Sequence, residues 1–213
     1  MSRSFINPSR RGAIGLLAAF AAAAAIPGVH AHEGHGPARV PDPAAPASGT
    51  TKLRGSLPDA RVVDSNRRRR RLVSEVFGRR VVAIDFVLTD CSTVCNIVSA
   101  AMAGAQDLLG PRLASEAGLV SLALDPIGGT PDELHGYAER FGAGPGWSFV
   151  NLPQQSLDDV LRRLGGPLAG SDHAPMVIVL DPVRGEVRRL LGLPSAEQIA
   201  TAVEAALAAR RQA

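Results

Sequence analysis

Residues 81–88 read VVAIDFVL, a run that is almost wholly apolar and rich in β-branched side chains. A strand with one wet face alternates apolar and polar residues. A run without alternation predicts a central strand covered on both sides. Residues 95–109 follow, with Val98, Ala101, Met102, Ala105, Leu108 and Leu109 at helical spacing and Gly110 just beyond as a stop. Residues 119–124 repeat the buried-strand pattern. Thr130, Pro131 and Glu133 then supply a cap, a first-turn proline and the third-position acid of a capping box. Leu134, Tyr137, Ala138 and Phe141 form the apolar face of that helix. Ser156 is the expected cap of a further short helix with Leu157, Val160, Leu161 and Leu164 inward and Gly165 at its end. Residues 176–180 and 186–191 read as a hairpin around the turn DPVRG. Ser195 and Gln198 form a last capping box, before a helix with Ile199, Ala202, Val203, Ala206 and Leu207 on one face.

The expected order is strand–helix–strand–helix–(helix)–strand–strand–helix. A βαβ unit followed by an antiparallel hairpin and a closing helix is the thioredoxin-like arrangement, an α/β fold with a mixed sheet flanked by helices. Residues 53–78 are its N-terminal extension, and one helix is inserted. The globular domain is expected over 53–213.

The residues before it have a different composition. Residues 1–11 carry Arg3, Arg10 and Arg11 and no acid, residues 13–26 are apolar apart from one Gly, and VHA ends at Ala31. These are the three regions of an export signal, expected over 1–31 with cleavage after Ala31. The apolar run is shorter than the roughly 20 residues of a membrane span. An uncleaved anchor in the inner membrane is the alternative, and SRRGAI also leaves twin-arginine export open beside the general route. Residues 32–52, with four prolines and few bulky apolar side chains, read as a flexible linker. The whole chain has 23 Lys+Arg and 20 Asp+Glu. Residues 1–31 hold three of the former and none of the latter, so the remainder is 20 against 20. Such a balance gives no warrant for nucleic-acid binding. One basic run remains, RRRRR at 67–71, expected as a solvated loop or an anion-facing patch.

The chain has two cysteines, Cys91 and Cys95 in TDCSTVCN. Cys91 is expected just past the end of the first buried strand, and Cys95 in the first turn of the next helix. Clefts open at the carboxyl ends of strands in α/β sheets, and a helix N-terminus stabilises a thiolate. Residues four apart share a helical face, so both sulfurs can point at one spot. Three chemistries remain open: a structural bridge, a redox couple, and a soft-metal site. A bridge closing so short a loop removes little chain entropy and is a poor staple. Two thiolates select copper(I), and such a site calls for a further donor. His135 falls on a polar helix face, and His32 and His35 lie in the linker, where they could capture metal. His173 lies in the loop just before the hairpin, which in this topology faces the dithiol. It is the candidate third ligand, with Asp172 to orient its ring.

FVLTDCSTVC, LALDP…TPDELHGYAERFG, PGWSFV and DHAPMVIVLDPVRGEV occur in this order. Together they resemble the Sco/SenC family of exported, thioredoxin-like copper proteins, over roughly residues 53–209. The resemblance implies copper(I)/copper(II) binding by Cys91, Cys95 and His173, with Cys91 and Cys95 also a redox-active pair. It implies a periplasmic metallochaperone, a monomer, that serves the binuclear copper centre of cytochrome c oxidase. Its partner would be that oxidase's copper-receiving subunit or another periplasmic copper protein. The alternative it leaves is a thiol-disulfide oxidoreductase reducing the partner's cysteines. The chain departs from the family pattern at Ser92 and Asn96, where prolines are frequent, and at Gly128 and Gly129, where an acid is frequent. Asp125 is retained, with turn formation as its simplest role.

Overall fold

The computed structural model describes residues 49–91, 93–125, 127, 129–167 and 175–212. The export segment, His32, His35, Asp172 and His173 lie outside the described residues. The fold below is that of the described residues within Val40–Ala213.

Eight strands form one mixed sheet: β1 (Thr51–Lys52), β2 (Arg61–Asp64), β3 (Arg69–Arg71), β4 (Val81–Val87), β5 (Ala117–Ala123), β6 (Trp147–Asn151), β7 (Met176–Asp181) and β8 (Glu186–Leu191). Their order across the sheet is β1-β8-β7-β4-β5-β6-β2-β3. β4, β5 and β6 run parallel, and β7 is antiparallel to β4. The helices are α1 (Val94–Leu109), α2 (Pro131–Arg140), α3 (Gln154–Leu164) and α4 (Ala196–Arg211). This is the thioredoxin-like architecture, with β1–β3 and a wide helical turn (Leu72–Phe77) added ahead of β4.

Every residue of β4 and β5 is buried, as the unbroken apolar run requires. Alternate residues serve two cores. Val81, Ala83 and Val87 pack with Val98 and Met102 of α1, Leu134 and Tyr137 of α2, and Ile199 and Val203 of α4. Val82, Ile84 and Phe86 pack on the other side with Leu157, Val160 and Leu164 of α3 and with Leu72, Val76 and Phe77. Gly104 of α1 lets α4 come close, because a Cβ there would lie 2.7 Å from that of Ala196.

Both predicted capping boxes form, at Thr130 with Glu133 and at Ser195 with Gln198. Gly165 closes α3 in the left-handed conformation. The hairpin joins Met176–Asp181 to Glu186–Leu191. Four expectations change. α3 begins at Gln154 after Pro153, so Ser156 lies inside the helix and does not cap it. Leu108 is half exposed, since the α1 stripe buries Leu109 and Met102 and turns Leu108 outward. β6 stands between α2 and α3, where no strand was expected. Finally, Arg69–Arg71 is an edge strand paired with β2, with no loop at those positions. The turn that allows it has Arg67 at φ 60° and the Asp64 carboxylate accepting from the N–H groups of Asn66 and Arg68.

Candidate dithiol site

Cys91 follows β4 by four residues and its N–H donates to the Leu88 carbonyl at 3.1 Å. Cys95 is the second residue of α1 and is 2% exposed, whereas Cys91 is partly exposed. Both thiols are free. The sequence placed each at this position, and the structure brings the two sulfurs into one hydrogen-bonded pair. The backbone N–H of Cys95, with those of Thr93 and Val94 and the Cys95 thiol, donates to the Cys91 sulfur and holds its pKa below the ordinary thiol range. These are the unpaired donors of a helix N-terminus, aimed at a sulfur whose thiolate they favour.

Cys95 is shifted the opposite way. Burial first, then its hydrogen bond to Cys91 and the charges of Cys91 and Asp85, push its thiol up to about 11, against an N–H from Leu88 that favours the thiolate. The two thiols are therefore unequal, and the more exposed sulfur is the more acidic of the two.

A chain of buried polar groups runs beneath it. Asp85 is 0% exposed, in the middle of β4, on the side that α1 covers. Burial pushes its carboxyl up to about 6, offset in part by hydrogen bonds from Ser121 and Ser99. Ser121, its direct partner across β5, donates to Oδ1 at 2.5 Å. Ser99, one turn along α1 from Cys95, donates to Oδ2 at 3.2 Å. Ser99 also meets the Tyr137 hydroxyl at 3.1 Å, which reaches Asn96 at 3.5 Å, and the Trp147 indole N–H donates to Ser121 at 3.0 Å. Burial raises the Tyr137 pKa, and the charges of Asp85, Cys95 and Cys91 add to it. Sequence reasoning passed over Asp85, although an acid inside an otherwise apolar central strand was the signal that could have found it.

The other candidates separate. His135 is on the solvent side of α2, 3.3 Å from Glu139. Asp125 forms a turn, accepting from the Ile127 N–H at 2.8 Å. His173 and Asp172 lie outside the described residues. Among the described residues, no group of three His, Cys, Asp or Glu side chains is placed to hold a metal ion. Two soft sulfurs at one spot fit copper(I) as part of a donor set, with the third donor still to be supplied. Among the same residues no helix is long and apolar enough to cross a membrane.

The SCO1/SenC family model matches residues 64–145, a stretch that holds both cysteines and Asp85. No curated protein matches in sequence. Solved structures match in fold. A SCO1/SenC family lipoprotein from Bacillus anthracis str. Ames is 18% identical over 72% of this chain and 96% of its own, with a TM-score of 0.60. BsSco, described as a member of the Sco family of cytochrome c oxidase assembly proteins with a disulfide switch, is 19% identical over 72% and 94%, at 0.58. Arabidopsis thaliana ScoI, with copper bound, is 15% identical over 70% and 96%, at 0.58.

Proposed function

We propose, for a chain that is similar to SCO1/SenC proteins over residues 64–145 and shares their fold, that it is an exported copper metallochaperone. Copper is its cargo, held by Cys91, Cys95 and His173 and passed to a copper-receiving partner of the cytochrome c oxidase type. The observation that carries this reading is the pair of free thiols, hydrogen-bonded to each other at the head of α1. Such a pair offers two soft donors from one rigid element. The relatives described as copper-bound and as oxidase assembly proteins support the cargo and the partner. The export pattern of residues 1–31 supports a periplasmic site of action, with the linker giving the domain reach.

Cys91 is already biased toward thiolate. Cys95 is not, so metal loading must displace its proton, and affinity rises with pH until that proton is gone. The test is copper stoichiometry and thiolate charge-transfer absorption of the purified protein against His173→Ala. The expected result is one copper per wild-type chain and a weakened, spectrally altered site in the variant. Unchanged copper(II) affinity and absorption in His173→Ala would refute the three-ligand site.

One observation favours a second reading, thiol-disulfide exchange: the opposite shifts of the two thiols. In that chemistry the Cys91 thiolate attacks one sulfur of a partner disulfide and expels the other as thiolate. Cys95 then loses its proton and attacks the Cys91 sulfur. This releases the partner's second thiolate and leaves Cys91 and Cys95 joined as a disulfide. The partner gains two electrons and this chain loses two. Cys95→Ser should trap the mixed disulfide on Cys91. Absence of any trapped species with an oxidised copper-receiving fragment argues against this reading and leaves ligand exchange.

A further inference from the structure

A cavity lies at the other end of the sheet from the dithiol. It is an open cleft of about 790 Å³ between the β2–β3 hairpin, the outer side of α2 and the start of β6. β4 and β6 run in the same direction across β5. Cys91 follows the last residue of β4, whereas the cleft reaches Trp147, the first residue of β6. The two sites are therefore at opposite edges.

Four guanidinium groups line the cleft, those of Arg68, Arg69, Arg70 and Arg80. Their compensation is incomplete. The Asp64 carboxylate is shared by Arg68 at 3.0 Å and Arg70 at 3.9 Å. Arg70 completes its fork on the Glu75 carbonyl, a neutral acceptor. Arg80 is partly buried, and it too donates to carbonyls, those of Val76 and Phe77. Burial lowers its pKa, and the nearby charge of Arg70 lowers it further, which places two like charges side by side. Arg69 makes no side-chain ion pair or hydrogen bond among the described residues and is exposed. The two acids of the lining are already engaged, Glu75 with the Arg71 N–H and Glu139 with His135. Arg69 and Arg80 are thus left without a carboxylate, facing one concave space whose lining includes Trp147.

We propose that this cleft binds a small polyanion of the phosphate or carboxylate class, gripped by Arg69, Arg70 and Arg80. Guanidinium forks match the paired oxygens of such groups, and charge-assisted bonds of this kind are among the strongest available to a side chain. The volume is that of a small-molecule site. A free anion and the phosphates of a lipid headgroup offer the same chemistry. The site is independent of copper and of the dithiol, and its failure would leave the proposed function standing.

Trp147 is the only tryptophan of the chain and belongs to the lining of the cleft, so its fluorescence is used to follow binding, with isothermal calorimetry as the direct readout. Pyrophosphate and citrate are titrated into the full chain at constant ionic strength, with sodium chloride as control. The expected result is a saturable change with the polyanions and none with chloride. Arg69→Gln, at an exposed side chain, should weaken binding by about tenfold, the scale of one charged hydrogen bond, and Arg80→Gln should weaken it at least as much. Circular dichroism checks that each variant is folded. Vesicles of anionic phospholipid separate the sources. Binding that pyrophosphate competes away identifies a headgroup, and absence of vesicle binding identifies a free anion. A polyanion response no different from chloride overturns the proposal. So does wild-type affinity in Arg69→Gln, or binding of an acidic peptide where neither pyrophosphate nor citrate binds.

Discussion

Against the face of the sheet that α3 covers, β4 and β5 present Val82, Ile84, Phe86, Val120 and Leu122. Against the face that α1, α2 and α4 cover, the same two strands present Asp85 and Ser121 among their apolar neighbours. Both faces are equally dry. Burying an ionisable carboxyl costs free energy that hydrogen bonds only partly return, as its raised pKa records. The acid stands on the face whose lead helix begins at the dithiol, and its charge bears on the Cys95 thiol. One face is built for stability alone. The other gives up some stability to place a charge beneath the sulfurs.

The sharpest way to break that division is a cavity on the apolar face. Ile84 is fully buried there. Ile84→Ala should cost about 2–5 kcal/mol in urea unfolding. The pH profile of Cys91 alkylation should stay where it is, because nothing that touches Cys91 has changed. A shifted profile would mean that the two faces cannot be separated.

The apolar face was also the legible one. The unbroken run at 81–88 announced a central strand, and helical spacing found all four residues that α3 buries together with their closing glycine. β6 was not found. Its five residues, WSFVN, are too short for a confident period, and its burial depends on β5 and β2 beside it. β3 was missed for a different reason. A run of arginines carries no strand signal, and it is a strand here because the Asp64 turn folds it back on β2. At the site, the cysteines and their place at the head of a helix could be read from spacing. Their unequal acidities could not, since these depend on which sulfur is buried and on Asp85, ten residues before Cys95 in the chain.

A smaller but more diagnostic effect should come from Asp85→Asn. The folded-state pKa of Asp85, about 6, stands above the ordinary aspartate value of 3.8. The folded state therefore holds its proton more tightly than the unfolded chain does. Wild-type stability from this group is complete below the lower value, falls as pH rises toward the upper one, and is flat beyond it. Asparagine cannot ionise. The stability of the variant relative to wild type should thus rise between pH 4 and pH 6 and level off above, by roughly 3 kcal/mol in total. Parallel unfolding curves at pH 4, 5, 6 and 7 would show that Asp85 does not titrate in this window. Removing the charge should also bring the Cys95 thiol down, seen as faster alkylation of Cys95 at high pH.

The smallest effect distinguishes how the helices on the two faces are held. α2, which carries Tyr137 to Ser99, starts with a full capping box: Thr130 accepts from the Glu133 N–H, and Glu133 accepts from the Thr130 N–H and hydroxyl. α3, on the apolar face, has no side-chain cap and relies on burial of Leu157, Val160, Leu161 and Leu164. Thr130→Ala should therefore cost about 1 kcal/mol, and it should loosen the Tyr137 hydroxyl, read by hydrogen exchange along α2. Ser156→Ala, at the position where a cap was expected but where the chain is already helical, should fall within about 0.5 kcal/mol of wild type. Equal costs at the two positions would mean that the start of α3 is held by its serine after all, and that the faces differ in their strands but not in their helices.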